Sequence, residues 1–314
     1  MLPDFVDALG DGLYAIDTGF VRPRFDAAYL IVDSSRAAFV DTGTNHAVPR
    51  LLAALRALEL DVGAVDWVIP THVHLDHAGG AGLLMQALPQ ARMAVHPRGQ
   101  RHMIDPTALI AGAAAVYGED ELARSYGMPV GVADARTLAT ADGMTLTLGT
   151  RVLEFIDTPG HARHHHCIWD ARTRTWFTGD TFGLGFPELV TERGRWVTPT
   201  SAPVQFDPEP LKASVRRLLA REPAALCVTH FGRVPNAPHL GPLLASQIDE
   251  MAAIGERLRH ADDRHARLCD AMRAMYVHRL AEHGFADLDE PLALLAPDVE
   301  INAQGLGAWL DRTA

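Results

Sequence analysis

The stretch Thr71-His72-Val73-His74-Leu75-Asp76-His77-Ala78-Gly79-Gly80 decides how the rest of the chain is read. Three histidines and one aspartate fall within six residues. They follow the apolar run Trp67-Val68-Ile69-Pro70 and precede a Gly-Gly pair and the helix-like Leu83-Leu84-Met85. A strand that runs into a tight loop aims alternate side chains into one space. Neutral imidazoles and a carboxylate are the ligand set of zinc, iron or manganese. Four such groups crowded together are costly without an ion to share, so the stretch reads as part of a metal site.

The same arrangement recurs downstream. The apolar strand Arg151-Val152-Leu153-Glu154-Phe155-Ile156 runs into Asp157-Thr158-Pro159-Gly160-His161, where Pro-Gly forces a sharp bend with His161 at its tip. Thr175-Trp176-Phe177-Thr178 ends in Gly179-Asp180, and Ala224-Ala225-Leu226-Cys227-Val228-Thr229 ends in His230. Strand ends on one edge of a sheet converge, so His72, His74, Asp76, His77, His161, Asp180 and His230 can gather into one cluster. Seven ligands exceed the needs of one zinc and suit two metals with a carboxylate between them.

Short β-branched or aromatic runs punctuated by Gly, Asp or Ser mark strands at Gly12-Leu13-Tyr14-Ala15-Ile16, at Ala28-Tyr29-Leu30-Ile31-Val32-Asp33 and at Ala37-Ala38-Phe39-Val40. The last ends in Asp41-Thr42-Gly43. Asp41 reads either as a turn residue or as a carboxylate that orients a ligand histidine from behind. Residues 48–60 have helical spacing, and strand and helix then alternate through Met93-Ala94-Val95, which predicts a layered α/β arrangement. Residues 98–135 lack strand alternation and read as a helical insertion. Tyr117 and Tyr126 are candidates for a pocket wall there. The tail is helical, with apolar stripes over 211–220, 243–259 and 265–282 and shorter pieces at 291–295 and 306–310. The Pro-rich stretch after Arg233 divides the chain into residues 1–235 and a helical extension, 236–314. The stripes of the tail serve core packing, a homodimer interface or a cap over the metal cleft.

Of the 314 residues 48% are hydrophobic, ample for a large core, and the net charge of -11 disfavours nucleic acid as a partner. No apolar run reaches membrane-spanning length, and Met1-Leu2-Pro3-Asp4 opens no signal peptide. Cys167, Cys227 and Cys269 are odd in number and widely spaced, which fits a reducing cytoplasm. The expected partner is a small-molecule substrate, with neither nucleic acid nor membrane.

These motifs resemble the metallo-β-lactamase-fold hydrolase superfamily over roughly residues 10–235. The His-x-His-x-Asp-His signature stands at His72, His74, Asp76 and His77, the Asp-Thr-Gly at Asp41 to Gly43, and the later ligands at His161, Asp180 and His230. The resemblance implies an αββα sandwich of two mixed sheets with metals at one edge. It implies His72, His74 and His161 at one ion, Asp76, His77 and His230 at a second, and Asp180 between them. One departure stands at Gly160-His161-Ala162-Arg163-His164-His165, where relatives carry Gly-His-Thr-x-Gly-His. His164 replaces the glycine and has no assigned role. His165 reads as a support behind the ligands or as a structural residue. Arg163 reads as a surface charge or as an anchor for a substrate carboxylate.

Two divalent ions, zinc first, with iron or manganese also accepted by this set, make hydroxide available near neutral pH. Asp76 is the expected proton shuttle. The expected activity is hydrolysis of a small thioester, ester or lactone, similar to the glyoxalase II branch. An iron-dependent oxidoreductase similar to the persulfide dioxygenases and a phosphodiesterase are the alternatives, ahead of a non-catalytic binding module.

Overall fold

The computed structural model describes residues 1–201, 204–235 and 239–314, and the side chains of Val116 and Tyr117 lie outside the described residues. Contacts divide the chain into two compact units. One comprises Met1–Asp157, His164–Gly179 and Ala224–Arg233, and the other comprises Thr158–Arg163, Asp180–Pro223 and Val234–Ala314.

The first unit is built on sheets. Seven strands follow chain order across one of them: β1 (Val6–Gly10), β2 (Leu13–Asp17), β3 (Ala27–Asp33), β4 (Arg36–Val40), β5 (Val65–Ile69), β6 (Arg92–Val95) and β7 (Thr137–Ala139). β1 to β4 are antiparallel neighbours, and β4 to β7 are parallel. The change of direction follows from the connections, since parallel neighbours need a crossover and helices supply it. These are α1 (Val48–Ala57), α2 (Leu75–Ala78) with α3 (Ala81–Ala87), and α4 (Pro97–Ile104) with α5 (Thr107–Tyr117) and α6 (Glu119–Glu121). The last runs into a π turn at Leu122–Tyr126. The second sheet runs β15 (Gly232–Pro235), β14 (Ala225–Val228), β11 (Thr175–Gly179), β10 (His166–Asp170), β9 (Arg151–Asp157), β8 (Thr145–Leu148).

Strand alternation sorts the core into two layers. On β3, Ala28 and Leu30 join Leu51 and Leu55 of α1 and Leu84 of α3 in one buried cluster. Their neighbours Tyr29 and Ile31 turn the other way and meet Leu153, Phe155, Ile168 and Phe177 of the second sheet in another. A strand buried on both faces reads as a continuous apolar run, which is why this segment was legible. β1 was not expected. It is an edge strand with burial alternating along Val-Asp-Ala-Leu-Gly, and its polar positions mask the pattern. β7 spans three residues, too few for a period to register.

The second unit holds the short pair β12 (Val190–Thr191) and β13 (Gly194–Arg195) and the helices α7 (Pro208–Leu219), α8 (Leu240–Leu258), α9 (Arg264–His283), α10 (Asp289–Leu294) and α11 (Ala296–Arg312). Residues 180–223 cluster with the tail. The stripe Leu244, Ile248, Met251 and Ile254 of α8 is buried, as is Leu268, Met272, Met275, Tyr276 and Leu280 of α9. α11 is one helix of 17 residues where the sequence offered only the piece at 306–310. Its interior glycines weaken the periodic signal. Gly305 is there for space, since a Cβ would lie 2.0 Å from the Ser201 carbonyl oxygen. Asn302 Oδ1 accepts the Ser201 N–H at 2.6 Å, one turn earlier. Among the described residues no helix is long and apolar enough to cross a membrane.

The ion pair of Arg151 and Asp170 lies in the interior of the first unit. Arg151 Nη1 is 2.8 Å from Asp170 Oδ2, with both side chains fully buried, and Arg151 also donates to the Asp11 carbonyl. Removing one partner of such a pair strands the other charge, at a cost of about 3 kcal/mol or more. Asp170→Ala is expected to lower the unfolding free energy by about that amount in guanidinium titration, with Arg151→Met Asp170→Leu losing less than the single variant.

Candidate metal centre

The centre begins at the ends of β4 and β5. Asp41 takes a left-handed conformation, with φ of 56°, directly after β4. That turn sends its carboxylate back into the protein, where it is buried. Oδ1 accepts the Thr71 N–H at 2.7 Å and the Thr71 hydroxyl at 2.9 Å. Oδ2 accepts the Thr229 hydroxyl at 2.8 Å and lies 2.9 Å from His77 Nδ1. One carboxylate therefore joins the end of β4, the loop after β5 and the loop after β14. Of the two alternatives for Asp41, the geometry is that of a carboxylate behind an imidazole. The loop itself needs close backbone approach: Gly80 N–H donates to the Gly43 carbonyl at 2.8 Å, and a Cβ on Gly80 would lie 2.6 Å from the Thr44 carbonyl oxygen.

With Nδ1 of His77 committed to Asp41, its Nε2 faces the Asp76 carboxylate at 3.4 Å. His230 Nε2 reaches the same Asp76 oxygen at 3.6 Å. Ligand atoms of Asp76, His77 and His230 all lie within 4.8 Å of one another. Beside them, His72 Nε2 and His74 Nδ1 are 2.8 Å apart, so both rings turn a nitrogen toward one point. The second unit holds its own pair: His161 Nε2 is 3.4 Å from Asp180 Oδ2, and both residues are buried. The bend carrying His161 is tight. Gly160 has φ of 135°, and a Cβ there would lie 2.3 Å from the backbone of Leu211.

A tetrahedral divalent ion with bonds of about 2.1 Å keeps its ligand atoms about 3.4 Å apart. The separations of 3.4 and 3.6 Å at Asp76 and of 3.4 Å between His161 and Asp180 match that spacing. Imidazole nitrogen with carboxylate oxygen is the donor chemistry of zinc, iron or manganese. Both sets fit a divalent ion.

Sequence reasoning missed Asp26. It is fully buried before β3, and its Oδ1 lies 2.5 Å from His230 Nδ1. Burial pushes its carboxyl up to about 6, and the neighbouring His230 opposes the rise. The one available signal was an acid placed immediately before an apolar strand, which turn residues also satisfy. His165 is buried with its ring stacked on His72, centroids 4.8 Å apart, and its Nε2 occupies the space where a Cβ on Gly179 would fall. His164 packs edge-on against His74, with centroids 5.5 Å apart, so the side chain in the glycine position covers the His72-His74 loop. Arg163 is exposed, and its backbone N–H donates to Gln205 Oε1 at 2.7 Å. The side chain of Tyr117 lies outside the described residues.

Within the first unit a cavity of about 420 Å³ opens between the loop after β2, the start of α1 and the π turn. Phe20 and Tyr126, 5.1 Å apart, form its aromatic wall, and Arg50 and Arg124 bring guanidinium groups to it. The aromatic contact continues from Phe20 to Phe25 at 6.0 Å and from Phe25 to His230 at 5.5 Å. A row of rings thus runs from the cavity to a candidate ligand.

The profile of the Metallo-beta-lactamase superfamily matches residues 21–230, and the chain belongs to that superfamily. Its members are mostly metal-dependent hydrolases using divalent ions. The chain is similar to a hydroxyacylglutathione hydrolase of Acidiphilium cryptum, 33% identical over 241 residues that cover 74% of this chain and 76% of that protein. It is also similar to a metallo-β-lactamase fold-containing protein of Sulfurisphaera tokodaii, 26% identical over 261 residues that cover 79% and 92%. Among solved structures, a metallo-β-lactamase family protein of Thermus thermophilus superimposes with a TM-score of 0.67 at 20% identity, covering 98% of this chain and 95% of that one. The expected superfamily and α/β fold are borne out.

Next to the centre, His166 is buried in its neutral form. Its Nε2 donates to the Pro70 carbonyl at 2.9 Å and its Nδ1 accepts from the Thr140 hydroxyl at 2.8 Å. Burial drives its pKa from 6.5 down to about 3. Because the folded value is the lower one, the unfolded chain takes up the proton first. Stability from this residue is therefore complete above about pH 6.5 and is lost as pH falls toward 3. Between about pH 7.5 and about pH 5 wild type is expected to lose about 2 kcal/mol more unfolding free energy than His166→Gln, read by denaturant titration at both pH values.

Proposed function

We propose that this protein is a binuclear metal-dependent hydrolase that cleaves a small thioester, ester or lactone. The observation that carries the proposal is the donor set, in which Asp76, His77 and His230 meet at the spacing a divalent ion imposes. Similarity to a hydroxyacylglutathione hydrolase supports a thioester as the first substrate class to try. The superfamily motifs assign His72, His74 and His161 to one ion, Asp76, His77 and His230 to the other, and Asp180 to both. Zinc is the first choice for this set, and iron and manganese have the same donor preference. Bound there, the ions would lower the pKa of a shared water so that hydroxide is present near neutral pH.

The chain's own residues do the rest. Asp41 accepts the Nδ1 proton of His77 and so fixes the tautomer that leaves Nε2 as a ligand. Asp26 stands in the same relation to His230. Asp76 is partly open to solvent, in contrast to the buried histidines around it. A carboxylate in that position can accept a proton at Oδ1 from the attacking water and deliver it to the leaving thiolate or alkoxide. The Phe20–Tyr126 cavity is the proposed seat of the substrate's apolar acyl portion, with aromatic burial supplying affinity.

Metal analysis by plasma mass spectrometry, on protein purified without chelators, is expected to give about two zinc ions per chain together with turnover of S-lactoylglutathione or a related thioester or lactone. About one iron per chain with no hydrolysis would overturn the proposal. Asp76→Ala is expected to reduce kcat by about a thousandfold. Tyr126→Ala is expected to raise KM while leaving kcat near wild type, because the cavity contributes binding that does not change in the transition state.

A further inference from the structure

In the second unit, the helices α9 and α11 bring three ligand-type side chains together: His265, Cys269 and Glu300. His265 and Cys269 are four residues apart on α9, so they share one face of the helix. Glu300 approaches from α11. His265 Nε2 is 2.9 Å from Glu300 Oε1, Cys269 Sγ is 3.6 Å from His265 Nε2, and Cys269 Sγ is 3.5 Å from Glu300 Oε2. A tetrahedral zinc with Zn–S of about 2.3 Å and Zn–N or Zn–O of about 2.1 Å spaces sulfur from nitrogen or oxygen by about 3.6 Å. The two sulfur contacts lie at that spacing, while His265 Nε2 meets the other carboxylate oxygen of Glu300, Oε1, about half an ångström closer than the nitrogen–oxygen edge of such a tetrahedron. Gln304 Nε2 donates to Glu300 Oε1 at 2.8 Å from one turn further along α11, the kind of outer hydrogen bond that holds a ligand carboxylate in place. His265 and Glu300 are about half exposed, so ions reach the group from solvent.

We propose that His265, Cys269 and Glu300 form a second, separate metal site that takes zinc or another borderline-soft divalent cation. The three side chains supply one face of a tetrahedron, and water fills the fourth, outward position. On binding, the Cys269 S–H proton passes to solvent as the metal–sulfur bond forms. His265 joins through a ring nitrogen that carries no proton, and Glu300 as the carboxylate. No redox change is involved. The site staples α9 to α11, so occupancy stabilises the helical unit as the free ion concentration rises. This proposal is independent of the hydrolase chemistry, whose donor set contains no sulfur.

That difference makes the test selective. Cobalt(II) added to the full chain is expected to produce a near-ultraviolet thiolate-to-cobalt charge-transfer band, because Cys167 and Cys227 are fully buried and Cys269 is the accessible thiol. The band is expected to vanish in Cys269→Ser and to require about tenfold or more cobalt in His265→Ala, with hydrolysis rates unchanged in both. Zinc is also expected to slow alkylation of Cys269 in the wild-type chain, mapped by peptide mass spectrometry, which needs no variant. Visible cobalt bands without a thiolate band, a thiolate band that survives Cys269→Ser, or alkylation indifferent to zinc would each overturn the proposal.

Discussion

The Asp41 carboxylate is the constraint on which the candidate centre depends. A buried carboxylate is tolerated only when its lone pairs are occupied, and here, at the end of β4, they are met by a backbone N–H, two hydroxyls and an imidazole drawn from two further segments, Thr71 to His77 and Thr229. The cost of exposing it to a partial partner set makes the three segments interdependent. The left-handed turn at Asp41 and the glycine at position 80 are the backbone conditions for that meeting. Moving any one segment would leave charge unpaired in the interior, so the imidazole of His77 is held in register by the same bonds that close the loops.

A second layer of order comes from the aromatic and imidazole rings. His165 stacks on His72, His164 meets His74 edge-on, and Phe25 meets His230 edge-on. Candidate ligands are therefore wedged by flat groups from the side while carboxylates hold them from behind. His164 packs its ring against both His72 and His74, with centroids 6.1 and 5.5 Å away. The first unit's cavity, with its Phe20 and Tyr126 wall, lies at the other end of the ring row.

Much of this was legible in the sequence because the superfamily's metal donors sit at strand ends, where an apolar run stops abruptly at a His or Asp. The doubly buried strands and the helix α1 announced themselves through period and composition. What stayed hidden was hidden for identifiable reasons. Asp26 resembles a turn residue in one dimension, and only the return of the chain at residue 230 gives it a partner. The extent of α11 was obscured by its glycines, of which Gly305 admits the Ser201 backbone, a contact that no local pattern encodes. The metal-like triangle at Cys269 joins two helices of the tail, and its members read singly as surface residues.

The order of the ligands along the chain has a consequence for biosynthesis. His230 follows His77 by 153 residues. At elongation rates of roughly 5–20 residues per second, the ribosome adds that length in about 8–30 s. During that interval Asp76 and His77 exist without the imidazole that completes their triangle, and Asp41 lacks the Thr229 hydroxyl. Closure of the Asp41 network, and of the triangle of donor side chains at Asp76, is thus deferred until the last strands of the sheet unit have been made.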